Sequence, residues 1–185
     1  MEITFIRHAE KEELGEDPYL TKKGVKQAKH LAKRLKKEKF DELYCSNLNR
    51  TKQTADIISR IIGIKPQREE SLKEFKAETI KKEKDGWDRE EKNHYSSLIN
   101  FLKKIAEDPD ENKSILIIAH GITNKIILSH FLNLNLGNII HFTQRETGVN
   151  SIYWMDKFKN WRLRIWNDDH HIPLKLKDKE TYFKK

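Results

Sequence analysis

Short apolar runs along the chain predict buried strands. Ile3, Phe5 and Ile6, with β-branched Thr4 between them, form one such run at the start of the sequence. The stretch from Ser114 to Ala119 contains four consecutive aliphatic residues, which is typical of a central parallel strand that is covered on both faces. Residues 40–44 and 64–67 are weaker candidates for short strands.

Apolar residues at helical spacing predict helices between these strands. The first helix is expected to begin after Thr21 as N-cap and to end near Glu38, and the second is expected to use Ser46-Asn47 as cap and to stop at Gly63. A third and a fourth helix are predicted from Tyr95, Leu98, Ile99, Leu102 and Ile105, and from Ile126, Ile127, Phe131 and Leu132. The charged segment from Lys76 to Asn93 is expected to be an excursion over a site and receives no element.

The last third of the chain predicts a β-hairpin at a sheet edge, with strands over residues 148–154 and 161–166. Strands that alternate with helices favour an α/β fold, namely a three-layer α/β/α sandwich around a mostly parallel central sheet. We expect one domain over residues 1–172 and a basic C-terminal tail over residues 173–185.

Composition narrows the classes of function. The chain has 185 residues, a formal net charge of +8 and 36% charged residues, with lysines and glutamates interspersed on helix faces. This mixture is typical of a solvated surface, so nucleic-acid binding is not expected. No leader sequence and no apolar run of membrane-spanning length is visible, which predicts a cytoplasmic protein without a membrane partner. The single cysteine, Cys45, is interpreted as a buried apolar residue. The sequence carries no indication of the oligomeric state.

Both of the strongest strand candidates end at a histidine. Arg7-His8 follows the first run and His120-Gly121 follows the second. If the two strands are parallel neighbours, His8 and His120 lie side by side at the carboxyl end of the sheet, where open α/β sheets bind ligands. Backbone N–H groups at the following helix start would face the same crevice and favour an anion.

Arginine at a helix start also indicates an anion. Arg50 lies in the first turn of the second predicted helix, next to the positive end of its dipole. Together with Arg7 it suggests a two-arginine clamp for a phosphate group.

Several motifs, in order, resemble the histidine phosphatase superfamily, the phosphoglycerate-mutase-like group. They are Arg7-His8-Ala9-Glu10, Leu20-Thr21-x-x-Gly24-x-x-Gln27-Ala28, Ser46-x-Leu48-x-Arg50-Thr51-x-Gln53-Thr54-Ala55, Leu72-x-Glu74, His120-Gly121, Asn150-Ser151, and Asn167-Asp168-Asp169-His170-His171-Ile172. The resemblance covers about residues 1 to 172 and implies a phosphatase that needs neither a metal nor another cofactor.

The resemblance also implies roles for individual residues. His8 would be the nucleophile that is phosphorylated during turnover, and Glu74 would donate a proton to the leaving group, with Glu78 and Asp88 as alternatives. Arg7, Arg50 and His120 would bind the phosphoryl group. Thr21 and Gly121 complete the set that we expect to bind phosphate.

The expected substrate is a small phosphorylated molecule or a phosphoprotein. Three alternatives to a phosphomonoesterase stay open at this point: a mutase of the phosphoglycerate type, a protein phosphatase that acts on phosphohistidine, and a non-catalytic module that binds a phosphorylated ligand.

Overall fold

The computed structural model describes residues 1–79, 86–109 and 112–177. Strands β1 (Glu2–Arg7), β2 (Glu42–Cys45), β3 (Gln67–Arg68) and β4 (Ser114–Ala119) alternate with helices α1 (Lys22–Leu35), α2 (Asn49–Ile62), α3 (Arg89–Ile105) and α4 (Gly121–Leu132). Strands β5 (Val149–Met155) and β6 (Asn160–Asp168) follow. Short 3₁₀ turns lie at Glu70–Leu72, Leu136–His141, Asp156–Phe158 and Leu174–Leu176.

The strands form a mostly parallel sheet in the order β3-β2-β4-β1-β5-β6. Strands β1 to β4 pair in parallel, whereas β5 and β6 are antiparallel and form the predicted hairpin at the edge. The parallel core explains why β4 is apolar on both faces, since helices cover each side.

Two apolar clusters hold the helices against the sheet. On one face, Leu31 and Leu35 of α1 and Ile58 of α2 pack on Leu116 and Ile118. On the other face, residues of α3 and α4 pack on β1 and β4, including Leu98, Leu102, Ile126, Ile127, Phe5 and Ile117. These layers confirm the predicted α/β/α sandwich.

Several helix ends follow the prediction, and others do not. Thr21 caps α1 by accepting a hydrogen bond from the Gly24 N–H, and Gly63 ends α2 in the left-handed region. The predicted cap at Ser46-Asn47 is wrong, because Leu48 is the N-cap of α2 and makes no side-chain cap bond. Helix α3 begins earlier than its apolar pattern indicated, because Asp88 and Glu91 form a capping box.

The end of the packed fold reaches beyond Ile172. Leu176 is buried, and its carbonyl oxygen accepts a 2.9 Å hydrogen bond from Nε2 of Gln27 on α1. The first part of the predicted tail is therefore held on the domain, while residues 178–185 lie outside the described residues. None of the helices in the described part of the chain has both the length and the apolar character needed to cross a membrane.

Candidate active site

The carboxyl ends of β1 and β4 bring the two histidines together. The strands pair with Arg7 opposite Ala119, and the His8 N–H donates a 3.0 Å hydrogen bond to the Ala119 carbonyl oxygen. The two imidazole rings meet edge to face, with their centroids 5.2 Å apart. His8 is 2% exposed and His120 is completely buried. The pairing that the sequence predicted is confirmed.

Two hydrogen bonds define the tautomer of His8. Its Nδ1 lies 2.7 Å from the Ala9 carbonyl oxygen, which only accepts, so Nδ1 carries the proton. The Nε2 atom then has a lone pair, which accepts a 3.2 Å hydrogen bond from Nε of Arg50. This arrangement directs the Nε2 lone pair toward a guanidinium group.

The electrostatic surroundings keep His8 neutral. Burial lowers its pKa well below the ordinary value of 6.5, and the charges of Arg7 and Arg50 lower the pKa further. The pKa of His120 is also lowered well below 6.5 by burial and then by His8 and the same arginines. A neutral imidazole has an unprotonated ring nitrogen and is a competent nucleophile at neutral pH.

Arg50 reaches the site from the first turn of α2, as predicted. The residue is 7% exposed, and its Nη1 lies 3.7 Å from a carboxylate oxygen of Asp17. Asp17 also accepts a 2.8 Å hydrogen bond from the Asn49 N–H. Asp17 thereby links the loop before α1 to the start of α2 and also contacts the guanidinium of Arg50.

Arg7 is held by residues that the sequence did not point to. Its Nη1 donates a 2.6 Å hydrogen bond to the Gln144 carbonyl oxygen, and its Nη2 lies 3.1 Å from a carboxylate oxygen of Glu146. Its Nε is buried and has no hydrogen-bond partner among the described residues. Both terminal nitrogens are thus engaged, while the Nε edge keeps a donor that an anion can use.

Gln144 is itself fixed by a buried amide network. Its Nε2 donates to Oδ1 of Asn150 at 2.8 Å, and its Oε1 accepts from Nδ2 of Asn124 at 2.9 Å. Asn150 also donates a 2.7 Å hydrogen bond to the Phe5 carbonyl oxygen on β1. No local pattern around Gln144 or Glu146 marks these residues, because their partners lie on distant elements.

Glu74 joins the cluster from the segment after the first 3₁₀ turn. One carboxylate oxygen accepts a 2.9 Å hydrogen bond from the Ile122 N–H at the start of α4, and the other lies 3.8 Å from Nδ1 of His120. Burial raises the pKa of Glu74 above 4.5, whereas the Ile122 hydrogen bond, Arg7 and Arg50 oppose that rise. A carboxyl group with a raised pKa is suited to donate a proton.

The two alternative acids, Glu78 and Asp88, have surroundings that differ from those of Glu74. Asp88 caps α3 and accepts a 2.8 Å hydrogen bond from the Glu91 N–H, and Glu78 is exposed. Of the three candidate acids, Glu74 is the one whose carboxylate lies near His120, at 3.8 Å from Nδ1.

His120 has one engaged and one unengaged ring nitrogen. Its Nε2 lies 3.0 Å from Oγ of Ser46, so the serine predicted as a helix cap contacts this imidazole instead. Its Nδ1 is buried without a hydrogen-bond partner among the described residues. Like Nε of Arg7, it is a polar atom that is available to a ligand.

Gly121 lies beside Arg7 of the site, whereas the Thr21 hydroxyl is hydrogen-bonded to Gly24 and Glu10. Gly121 begins α4, and a Cβ atom there would lie 3.8 Å from Cδ and Nε of Arg7, so its backbone lines the site. The Thr21 hydroxyl accepts from the Gly24 N–H and donates to Glu10, both at 2.8 Å. No hydrogen bond joins Thr21 to the histidines or arginines in the described residues, so its phosphate-binding role stays a prediction.

Three side chains of the site are of types that can bind a metal ion. His8, Glu74 and His120 each place a ligand atom within 4.8 Å of the others, which is a geometry that a cation could use. Arg7 and Arg50 interact electrostatically with all three of these side chains, and their two positive charges favour an anion over a metal ion. The expectation of a metal-free site stays a prediction.

Comparisons with known proteins agree on one family. The sequence profile of the histidine phosphatase superfamily (branch 1) matches residues 3–100 and 96–169. A relative from Shigella boydii, the probable phosphoglycerate mutase GpmB, is 21% identical over 96% of this chain and 98% of its own length.

Solved structures show the same fold. A phosphoserine phosphatase from Entamoeba histolytica, in complex with 3-phosphoglyceric acid, aligns with a TM-score of 0.73 at 22% identity, covering 92% of this chain and 98% of that one. The α-ribazole phosphatase from Shigella flexneri aligns with a TM-score of 0.72 at 18% identity, covering 91% and 97%.

Proposed function

The chain belongs to the histidine phosphatase superfamily, and we propose that it is a metal-independent phosphatase that hydrolyses phosphomonoesters through a phosphohistidine on His8. One observation carries this proposal. The Nε2 lone pair of a buried, neutral His8 lies beside the guanidinium of Arg50, so a nucleophile and an anion-binding group meet at one point.

The proposed reaction has two steps. First, Nε2 of His8 bonds to phosphorus while the bond from phosphorus to the ester oxygen breaks, and Glu74 donates its proton to that oxygen. The leaving group departs as an alcohol. Water then attacks phosphorus, Glu74 takes up a proton from that water, and the phosphorus–nitrogen bond breaks to release inorganic phosphate. His8 and Glu74 return to their starting states.

Cations and buried donors would stabilise charge on the transferring oxygens. Arg7 Nε and His120 Nδ1 are both buried without a hydrogen-bond partner among the described residues, and Arg50 lies against His8. Donors that are already oriented need no reorganisation during the reaction, which is the usual source of electrostatic catalysis.

A mutase is the second candidate, and the relative from Shigella boydii is the observation that favours it. A mutase would return the phosphoryl group from His8 to a second position on the substrate instead of passing it to water. The substrate is proposed to be a small phosphorylated molecule or a phosphoprotein, and the E. histolytica relative indicates phosphoserine as one compound to test.

The first experiment is hydrolysis of p-nitrophenyl phosphate in the presence of EDTA. We expect the wild type to be active and His8→Ala to lose at least about 10³-fold in kcat, because no other group forms the covalent intermediate. His141→Ala is the matched control, since this histidine is exposed. The wild-type protein should also form an acid-labile phosphoprotein that the His8→Ala variant does not form.

Other results would change the assignment. Equal activity of wild type and His8→Ala would refute the mechanism, and loss of wild-type activity on chelation would refute metal independence. Interconversion of 2- and 3-phosphoglycerate, without release of phosphate, would establish the mutase instead.

A further inference from the structure

A basic groove runs between α1 and α2, on the helical layer outside the candidate site. The groove has a volume of about 410 Å³ and is lined by Lys26, Lys29, His30, Lys33, Ile57, Arg60 and Ile61. Ile61 is 45% exposed, so the floor of the groove presents apolar surface to solvent. An apolar side chain among cations can contact a partner that carries both an apolar and an acidic group.

The charge around this groove is strongly one-sided. Helix α1 has no acidic residue, and its basic residues are Lys22, Lys23, Lys26, Lys29, Lys33 and Arg34. Asp56, next to Ile57, is paired with Arg68 at 2.7 Å and is therefore already neutralised. The groove thus combines an apolar floor with a positive rim.

An acidic loop of the same chain has the complementary character. It comprises Glu12, Glu13, Leu14, Gly15, Glu16 and Asp17, just before α1. Leu14 is 88% exposed, the highest value among the large hydrophobic side chains of the described residues. Gly15 adopts a φ of +97°, a turn that glycine favours and that helps to project Leu14 outward.

We propose that the acidic loop of one copy of this chain binds in the basic groove of a second copy, and that the exchange is reciprocal. Leu14 would contact Ile57 and Ile61, while Glu13 and Glu16 would face the lysines of α1. Because each copy contributes both a loop and a groove, a two-fold axis closes the contact and the product is a dimer.

The shape of the surface favours a polypeptide over other anionic partners. The two isoleucines line a concavity among basic residues, whereas a membrane-binding face presents a continuous apolar surface. Among the described residues, the groove lining has no Phe, Tyr or Trp side chain on which single-stranded nucleic acid could stack. A short acidic segment with one exposed leucine fits both features, and this chain supplies one.

The proposed contact also reaches the candidate site. Asp17, at the end of the acidic loop, contacts Arg50 at 3.7 Å and accepts from the Asn49 N–H. A copy bound to this loop would therefore lie close to Arg50.

Sedimentation velocity over a range of protein and salt concentrations tests the proposal. We expect a monomer–dimer equilibrium that weakens as salt is raised, because ionic contacts are screened. The groove variant Lys29→Glu/Lys33→Glu and the loop variant Glu13→Lys/Glu16→Lys should each raise the dimer dissociation constant by at least about tenfold. All four positions are exposed, so each variant should keep the wild-type melting temperature.

A charge swap distinguishes this contact from other dimers. In a mixture of the two variants, the native loop of the groove variant meets the native groove of the loop variant, and the two reversed surfaces meet each other. Heterodimers should form with about the wild-type dissociation constant although each variant alone dimerises at least about tenfold more weakly, and a chain that carries all four changes should dimerise again. A wild type that stays monomeric, a dimer unaffected by either variant, a larger assembly, or a mixture that stays monomeric would overturn the proposal.

Discussion

Replacing Glu74 by glutamine tests the acid role with little structural change. The glutamine side chain has the same shape, and its amide oxygen can still accept the 2.9 Å hydrogen bond from the Ile122 N–H. The variant can neither donate a proton to the leaving group nor take one from water, but kcat/KM reports only the first of these two steps. Its effect should therefore depend on how much the leaving group needs a proton.

Phenyl phosphate and p-nitrophenyl phosphate provide that comparison, because the two esters differ little in size. Phenolate is the poorer leaving group, and with phenyl phosphate we expect Glu74→Gln to lose about 10²- to 10⁴-fold in kcat/KM, the usual range for general acid catalysis. This loss corresponds to about 3–5 kcal/mol of transition-state stabilisation. With p-nitrophenyl phosphate the loss should be less than about tenfold, since nitrophenolate leaves without protonation.

The pH profile gives an independent readout. Glu74 must be protonated to act as an acid, and burial raises its pKa above the ordinary value. Phenyl phosphate hydrolysis by the wild type should therefore fall as pH rises through the pKa of Glu74, and this limb should be absent from the variant.

Two further variants are matched controls. Glu78→Gln and Asp88→Asn remove the alternative acids, of which Glu78 is exposed and Asp88 caps α3. Both variants should keep the wild-type dependence on the leaving group. Equal losses of Glu74→Gln on the two esters would refute the acid role, and a selective loss in either control would transfer that role to the altered residue.

Two predictions concern stability. Gly24→Ala should lower the melting temperature by at least about 4 °C, because the new Cβ would overlap the Glu10 carbonyl oxygen, whereas Gly121→Ala, with its nearest neighbour at 3.8 Å, should change it little in differential scanning fluorimetry. Because the pKa values of His8 and His120 are lowered by burial in the folded protein, the unfolded chain binds more protons below pH 6.5, the ordinary value. Denaturant titrations should show stability falling below that pH, by at most about 1.4 kcal/mol per pH unit and histidine, and a flat profile from pH 7 to 5 would contradict the assigned pKa directions.

The parts of the site predicted from sequence follow from local patterns and one topological rule. An apolar run that ends at His8, and another that ends at His120, indicate where two strands stop. Parallel strands that are neighbours bring those ends together, and β1 and β4 are such neighbours. Arg50 was predicted from its place in the first turn of a helix, which is a local feature as well.

The residues that hold Arg7 could not be predicted in this way. Gln144 and Glu146 are separated from Arg7 by more than a hundred residues. The contact of Gln144 with Arg7 uses its backbone carbonyl oxygen, so the type of side chain at position 144 does not reveal it. Ser46 was predicted as a cap because serine favours that position, yet its hydroxyl is used by His120. In both cases tertiary contacts decide what the local pattern leaves open.

The low pKa of His8 and the affinity for an anion have a common cause. Arg7 and Arg50 disfavour a proton on the imidazole, and the same charges attract a phosphate group. Glu146 contacts Nη2 of Arg7 and Asp17 contacts Nη1 of Arg50. The Nε of Arg50 donates to His8, and the Nε of Arg7 has no hydrogen-bond partner among the described residues. Buried donors without a partner cost about 1–3 kcal/mol each. A phosphoryl group that accepted from Nε of Arg7 would recover that cost on binding, so an arginine that lowers the pKa of His8 also favours occupation of the site by an anion.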